Sequence, residues 1–287
     1  MKFFEQLYQG NSPFNSLGGA FTANLSEREL IPKGKVLKNL IISLKGDLAA
    51  TTTVAVETFL DVLLPLVVKK GQDTIMQLRG RDLFALSFFM ESKAGRCIEG
   101  GAGEDDKVEG ITIPMNLVIE ADQNYSWGAT RAAVGNISGE QLGIEAEWND
   151  EPGALENISA VEQPLTTAGA TGPTSLNVII PQIGDLIGLM VFNTTVPTAT
   201  ADTHSLTEIK FLQDGELKDV FHMSQGKGLH GGALANLGAV GRDIINNYSF
   251  FDFRESPYDA KAKRISLDIE VGVASEAVRL IPIIKRK

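Results

Sequence analysis

A short motif that occurs twice in the same setting constrains this chain more than any other feature. Gly80-Arg-Asp-Leu83 is followed by Ser87-Phe-Phe89, and Gly241-Arg-Asp-Ile244 by Ser249-Phe-Phe251, with Gly-to-Ser spacings of 7 and 8. Each copy follows a hairpin signal, Lys70-Gly71 in the first half and Asp214-Gly215 in the second, and each precedes an alternating apolar segment near Ile111 or Ile265. Agreement of motif, turn and order predicts that one β-domain has been duplicated in tandem.

The rest of the chain fits that reading. Runs rich in β-branched and aromatic residues, bounded by Gly, Pro, Asn and Asp, predict strands at residues 36–45, 59–69, 74–78, 111–120, 142–148 and 158–163, then at 189–195, 207–212, 218–223, 248–254, 265–273 and 278–284. Ile265-Ser-Leu-Asp-Ile-Glu-Val271 alternates strictly, as a strand with one buried face must. Between the two sets lies Pro164 to Pro173, a run of small and turn-forming residues that predicts a boundary. The expected organisation is an N-terminal extension over residues 1–30, a first β-sandwich over 31–165 and a second over 166–287. Only Ser26-Glu-Arg-Glu29 has the form of a helix start, a capping box.

Charge and composition remove several function classes. The 287 residues carry a formal net charge of -10, against a nucleic-acid-wrapping face. That charge is uneven, with 14 basic and 23 acidic residues up to residue 165 and 12 and 13 beyond it. A single Cys, Cys97, excludes a disulfide framework within the chain. Residues 1–10 lack the features of a signal peptide. The most apolar stretch, Val54 to Val68, is interrupted by Glu57, Asp61 and Pro65 and is too short for a membrane span.

Two similar all-β domains in tandem, a short segment ahead of the first strand and a basic tail after the last resemble the double jelly-roll major capsid proteins. That lineage includes adenovirus hexons and the coat proteins of tailless, membrane-containing bacteriophages such as tectiviruses and corticoviruses. The resemblance rests on architecture and on the Gly-Arg-Asp repeat, over nearly the whole chain. It implies an all-β fold of two eight-stranded jelly rolls and a homotrimer of pseudo-sixfold outline. It also implies a place in the capsid shell of a virion assembled in a host cytoplasm, over an internal membrane. Implied partners are further copies of the chain, penton or minor capsid proteins, and the lipid or proteins of the inner membrane. No sequence-specific nucleic acid contact is expected. The alternative is a carbohydrate-binding or carbohydrate-cleaving tandem β-sandwich, for which Trp127, Trp148 and four Tyr are the available platforms and Glu145 with Glu147 the available carboxylate pair.

Catalytic signals are few, and no enzyme activity or cofactor is expected. His204, His222 and His230 are spaced 18 and 8 apart, unlike a cupin or zincin metal site, and are expected at the surface or in loops. Gly226-Lys-Gly-Leu-His-Gly231 has dinucleotide-loop spacing but no βαβ context, so it reads as small residues packed closely against a neighbour. Glu104, Asp105 and Asp106 are the candidates for a structural Ca²⁺, since hard cations need several converging oxygens. The assembly candidates are Arg81 with Asp82 and Arg242 with Asp243, as ion pairs between subunits or, on the blander reading, as local turn and helix-capping residues. Phe3, Phe4, Leu7 and Tyr8 have the spacing of one helical face. Lys285, Arg286 and Lys287 form a basic end suited to anionic headgroups, so both termini are expected on the membrane side of a shell.

Overall fold

The computed structural model describes residues 3–8, 19–20, 25–30, 33–48, 60–91, 95–98, 106–134, 137–151, 157–167, 169–228, 237 and 239–287. These residues divide into two compact units, Met1–Ile158 with Leu237–Ile244, and Ser159–Asn236 with Ile245–Lys287.

The first unit carries two runs of paired strands. In one, β1 (Phe3–Tyr8), β10 (Ile137–Asn149), β4 (Val36–Leu48), β8 (Asp106–Val118) and β7 (Arg96–Ile98) follow in that order, and β2 (Gly19–Ala20) also pairs with β10. In the other, β6 (Asp73–Leu78), β5 (Leu63–Lys70), β9 (Tyr125–Arg131) and β3 (Leu25–Glu29) are neighbours. Apolar residues meet in register at the centre of the first run. Leu40 lies opposite Ala146 and Ile113, and Ile42 opposite Ile144 and Ile111, all of them buried. Cross-strand pairs of this kind are the unit of sheet stabilisation.

Helix α1 (Gly80–Glu91) joins β6 to β7 and packs on β8 and β5. Ten of its twelve residues are buried, so it shows no polar stripe. Its start is fixed by a close approach. A Cβ on Gly80 would stand 2.1 Å from the Leu60 carbonyl oxygen, so only glycine fits. The Ser87 hydroxyl, buried in mid-helix, accepts a 3.1 Å hydrogen bond from the Thr112 backbone N–H and ties the helix to β8.

The second unit is a sandwich. One layer runs β13 (Gly172–Ile179), β19 (Ile265–Val271), β15 (Leu206–Gln213), β16 (Glu216–His222). The other contains β17 (Tyr248–Asp252), β14 (Gly184–Phe192) and β20 (Ala277–Arg286), with β18 (Tyr258–Asp259) on β14 and β12 (Gln163–Thr166) on β20. β11 (Ile158–Val161) begins on the last residue of the first unit's main segment and continues into the second along the chain. The core between the layers takes Ile265, Leu267, Ile269 and Val271 from β19, Leu189 and Val191 from β14, and Leu280 and Ile284 from β20. Strict alternation in β19 therefore does what its sequence predicts. Helices α2 (Met223–Gly228) and α3 (Ala239–Asn246) fall between β16 and β17.

Both predicted hairpins form. Lys70 pairs with Asp73 across Gly71 and Gln72, and Gln213 with Glu216 across Asp214 and Gly215. Asp214 and Gly215 have φ of 53° and 84°, the pair of positive values that matches a two-residue turn to strand twist. Each of the twelve predicted strand segments overlaps a strand. Ser26–Glu29 does not start a helix, because it belongs to β3, where Arg28 lies opposite Trp127 and Glu29 opposite Ser126. Sheet pairing supplies more backbone hydrogen bonds there than an isolated first turn would.

Candidate assembly surfaces

The amino-terminal residues form a strand, which corrects the helical reading of Phe3, Phe4, Leu7 and Tyr8. β1 pairs antiparallel with β10, Phe3 opposite Trp148 and Phe4 opposite Glu147. The buried Trp148 indole N–H donates to Glu5 at 2.9 Å. An isolated six-residue helix is unstable in water, whereas a strand laid on β10 completes a ladder and pairs a buried donor. Leu7 is half-buried, and the side chains of Phe3, Phe4 and Tyr8 lie outside the described residues.

The basic carboxyl end is also part of a sheet, not a tail emerging from one. Lys285 and Arg286 belong to β20, opposite Asp185 and Gly184 of β14. Lys287 Nζ lies 2.6 Å from Asp185 Oδ1, and that hydrogen bond is the main cause of the raised pKa of Lys287. The backbone closes tightly here, because a Cβ on Gly184 would stand 2.0 Å from the Lys285 carbonyl oxygen.

Both Gly-Arg-Asp copies lie in helices, but α1 directly follows the hairpin strand β6 whereas α3 is separated from β16 by α2, and their side chains differ. In α1 the Arg81 guanidinium makes a bidentate pair with Asp61, at 2.6 Å from Nε and 2.8 Å from the terminal nitrogen. Asp82 is buried in the first helical turn, where the helix dipole favours a carboxylate. The local reading of this copy therefore fits. In α3, Arg242 and Asp243 are both exposed. Gly241 has room, with Leu237 Cβ 3.5 Å from an added Cβ. The Ser-Phe-Phe triplets diverge outright, Ser87–Phe89 in helix α1 and Ser249–Phe251 in strand β17. That part of the repeat is a coincidence of letters.

Of the ion candidates, Glu104 and Asp105 lie outside the described residues, and Asp106 is buried at the start of β8, opposite Gly46. Gly226 sits inside α2, 3.0 Å from the Phe250 backbone nitrogen for an added Cβ, which agrees with close small-residue packing. That glycine falls within a helix rather than ahead of one, so its backbone lacks the geometry of a phosphate cradle. Residues 229–231 of the same motif, His230 included, lie outside the described residues.

His204 lies in a loop, one of the two places expected for it, but not at the surface. It is buried, with Nε2 lacking a hydrogen-bond partner among the described residues. Burial first, then the charge of Lys227, lowers its pKa below the usual 6.5, with Asp202 acting the other way. Lys227 is itself lowered to about 8 by burial, and its ammonium donates to the Asn246 carbonyl at 2.7 Å. His222 is exposed at the end of β16, 3.4 Å from Glu208.

Several side chains named for a glycan site are buried or hydrogen-bonded within the fold. Trp127 and Trp148 are both buried, so neither offers a platform. Glu147 accepts a 2.8 Å hydrogen bond from the buried Asn39 amide. Sequence reasoning missed one surface altogether, an open groove beside β16. Its signal was the Asp214-Gly215 hairpin followed by Glu216-Leu-Lys-Asp-Val220, a strand with polar and apolar residues out of alternation.

No family model and no curated protein matches the chain. Solved structures do. The major capsid protein of Sulfolobus turreted icosahedral virus superposes with a TM-score of 0.67 at 13% identity, over 99% of this chain and 97% of that one. This chain has the double jelly-roll fold. The major capsid protein P2 of bacteriophage PM2 gives 0.58 at 10% identity, over 99% and 96%. Vp54 of PBCV-1 gives 0.55 at 9%, over 99% and 93%. Such coverage means that both jelly rolls and their order along the chain are matched, not one sandwich alone.

Proposed function

We propose that the chain is a structural major capsid protein, which forms homotrimers of pseudo-sixfold outline that tile an icosahedral shell over an internal membrane. The observation that carries this reading is the end-to-end likeness of both units to the capsid proteins of PM2 and of Sulfolobus turreted icosahedral virus. Two similar domains per chain and three chains per ring would present six similar domains, so a closed trimer can fill a six-fold lattice position. In this reading the chain has no catalytic role, and its partners are its own copies, penton or minor capsid proteins and the membrane beneath. Arg242 and Asp243, exposed on α3, are the copy of the motif open to a neighbour. The sheet-bound ends, β1 and the Lys285–Lys287 end of β20, face inward as fixed surfaces rather than as loose tails.

Immunogold electron microscopy of the native source, with antibody raised against the purified chain, tests the reading. Gold on the faces of regular particles is expected. Gold confined to non-particulate material contradicts it.

A further inference from the structure

One side of the second unit is covered only in part, by helix α2, which packs on β17 and β16. β16 ends one of its layers and β17 the other, and among the described residues no strand pairs with the outer edge of either. The two edges border one groove of about 870 Å³, lined by Asp219, Val220 and Phe221 from β16 and by Phe251 to Phe253 and Tyr258 from β17 and beyond. Every residue of β16 but Phe221 is exposed, including Leu217 at 56% and Val220 at 38%. Exposed apolar side chains beside unpaired backbone donors and acceptors form a template for an added strand.

The chemistry of the groove selects what could lie there. Its floor is aromatic, with the Phe221 ring 5.1 Å from Phe251 and 5.5 Å from Phe253, and Phe253 5.0 Å from Tyr258. Its rim carries Asp219, Asp252 and Glu255, and no Lys or Arg is among its lining residues. Asp252 is neutralised by adjacent Arg254 at 2.5 Å, and Asp219 accepts a hydrogen bond from the Tyr258 hydroxyl, so the rim keeps negative charge on Asp219 and Glu255. Aromatic faces and carboxylates both attract cations, and a buried apolar strand alone would leave the carboxylates without partners.

We propose that this groove docks an extended, arginine- or lysine-bearing segment of a partner polypeptide, which adds a strand to β16 and sets its cations over Phe221 and Tyr258 between Asp219 and Glu255. The site does not depend on the shell role, since it needs only one chain. A fluorescein-labelled octapeptide of alternating valine and arginine is the probe, with full-length chain titrated in an anisotropy assay. Saturable binding is expected, weakened about tenfold by the double variant Asp219→Asn with Glu255→Gln and by Val220→Pro, which removes an edge donor. The double variant changes only exposed side chains, so it decides the matter even if the proline disturbs folding. Three results overturn the proposal: no binding, equal binding by the double variant, or equal binding of a valine–glutamate octapeptide. Self-association abolished by Val220→Pro would overturn it too, by assigning the groove to a second copy.

Discussion

Replacing Gly80 and Gly241 by alanine, one at a time, asks whether two identical tripeptides sit in different environments. A Cβ at residue 80 would lie 2.1 Å from the Leu60 carbonyl oxygen and 2.9 Å from its carbon, both backbone atoms that no side-chain rotation can move aside. Relief requires the start of α1 to move by about 1 Å against a helix that is buried all round, and overpacking of this kind costs about 1–3 kcal/mol. A backbone clash belongs at the upper end of that range, so about 2–3 kcal/mol is expected for Gly80→Ala. At about 2–4 °C per kcal/mol for a unit of this size, the melting temperature falls by roughly 4–12 °C. At Gly241 the nearest atom to an added Cβ is 3.5 Å away, an ordinary contact, and alanine is the better helix former by about 1 kcal/mol. Gly241→Ala should leave the melting temperature unchanged or raise it by a few degrees. Differential scanning calorimetry of both variants measures this directly. A Gly80→Ala protein that melts with the wild type, or a Gly241→Ala protein that loses more than Gly80→Ala, would refute the placement of α1 against Leu60.

Three further outcomes are expected. Arg81→Ala breaks a bidentate pair whose partners are partly exposed, so urea titration should show a loss of only about 1 kcal/mol, reproduced by Asp61→Asn and not additive with it. Trp148→Phe removes the indole donor to Glu5 and loosens β1 from β10, so limited proteolysis should cut the amino-terminal strand faster while the remainder stays resistant. Because the pKa of His204 is lowered in the folded chain, the native state binds fewer protons than the unfolded one between that lowered value and 6.5. Stability therefore rises with pH through that window and is lost as pH falls through it, and His204→Asn should flatten that part of a stability-against-pH curve measured by urea unfolding.

Legibility in the sequence followed the physics of each element. Strands with one wet face, such as β19 and β15, advertise themselves by alternation, and the Asp214-Gly215 turn by its need for positive φ. Helix α1 was hidden because burial on all sides erases the polar stripe that marks a surface helix. β1 was misread because residues 3, 4, 7 and 8 match one helical face, while the decisive partner, Trp148, is 143 residues from Glu5 along the chain. Ser26 and Glu29 have capping-box spacing, yet the β9 edge takes the segment as a strand. The assembly candidates divided in the same way. A duplicated Gly-Arg-Asp can be read from sequence, but not that Asp61 claims Arg81 or that Asp185 claims Lys287, because both partners depend on tertiary placement.

The mass of the purified chain in solution tests the central claim most directly. Mass photometry at nanomolar concentration and sedimentation velocity at micromolar concentration should both find a species of about 93 kDa, three times the 30.9 kDa chain, held by obligate-sized interfaces of over about 2,000 Å² per pair. A chain that remains a 30.9 kDa monomer at micromolar concentration would contradict the proposal that it builds a shell from trimers.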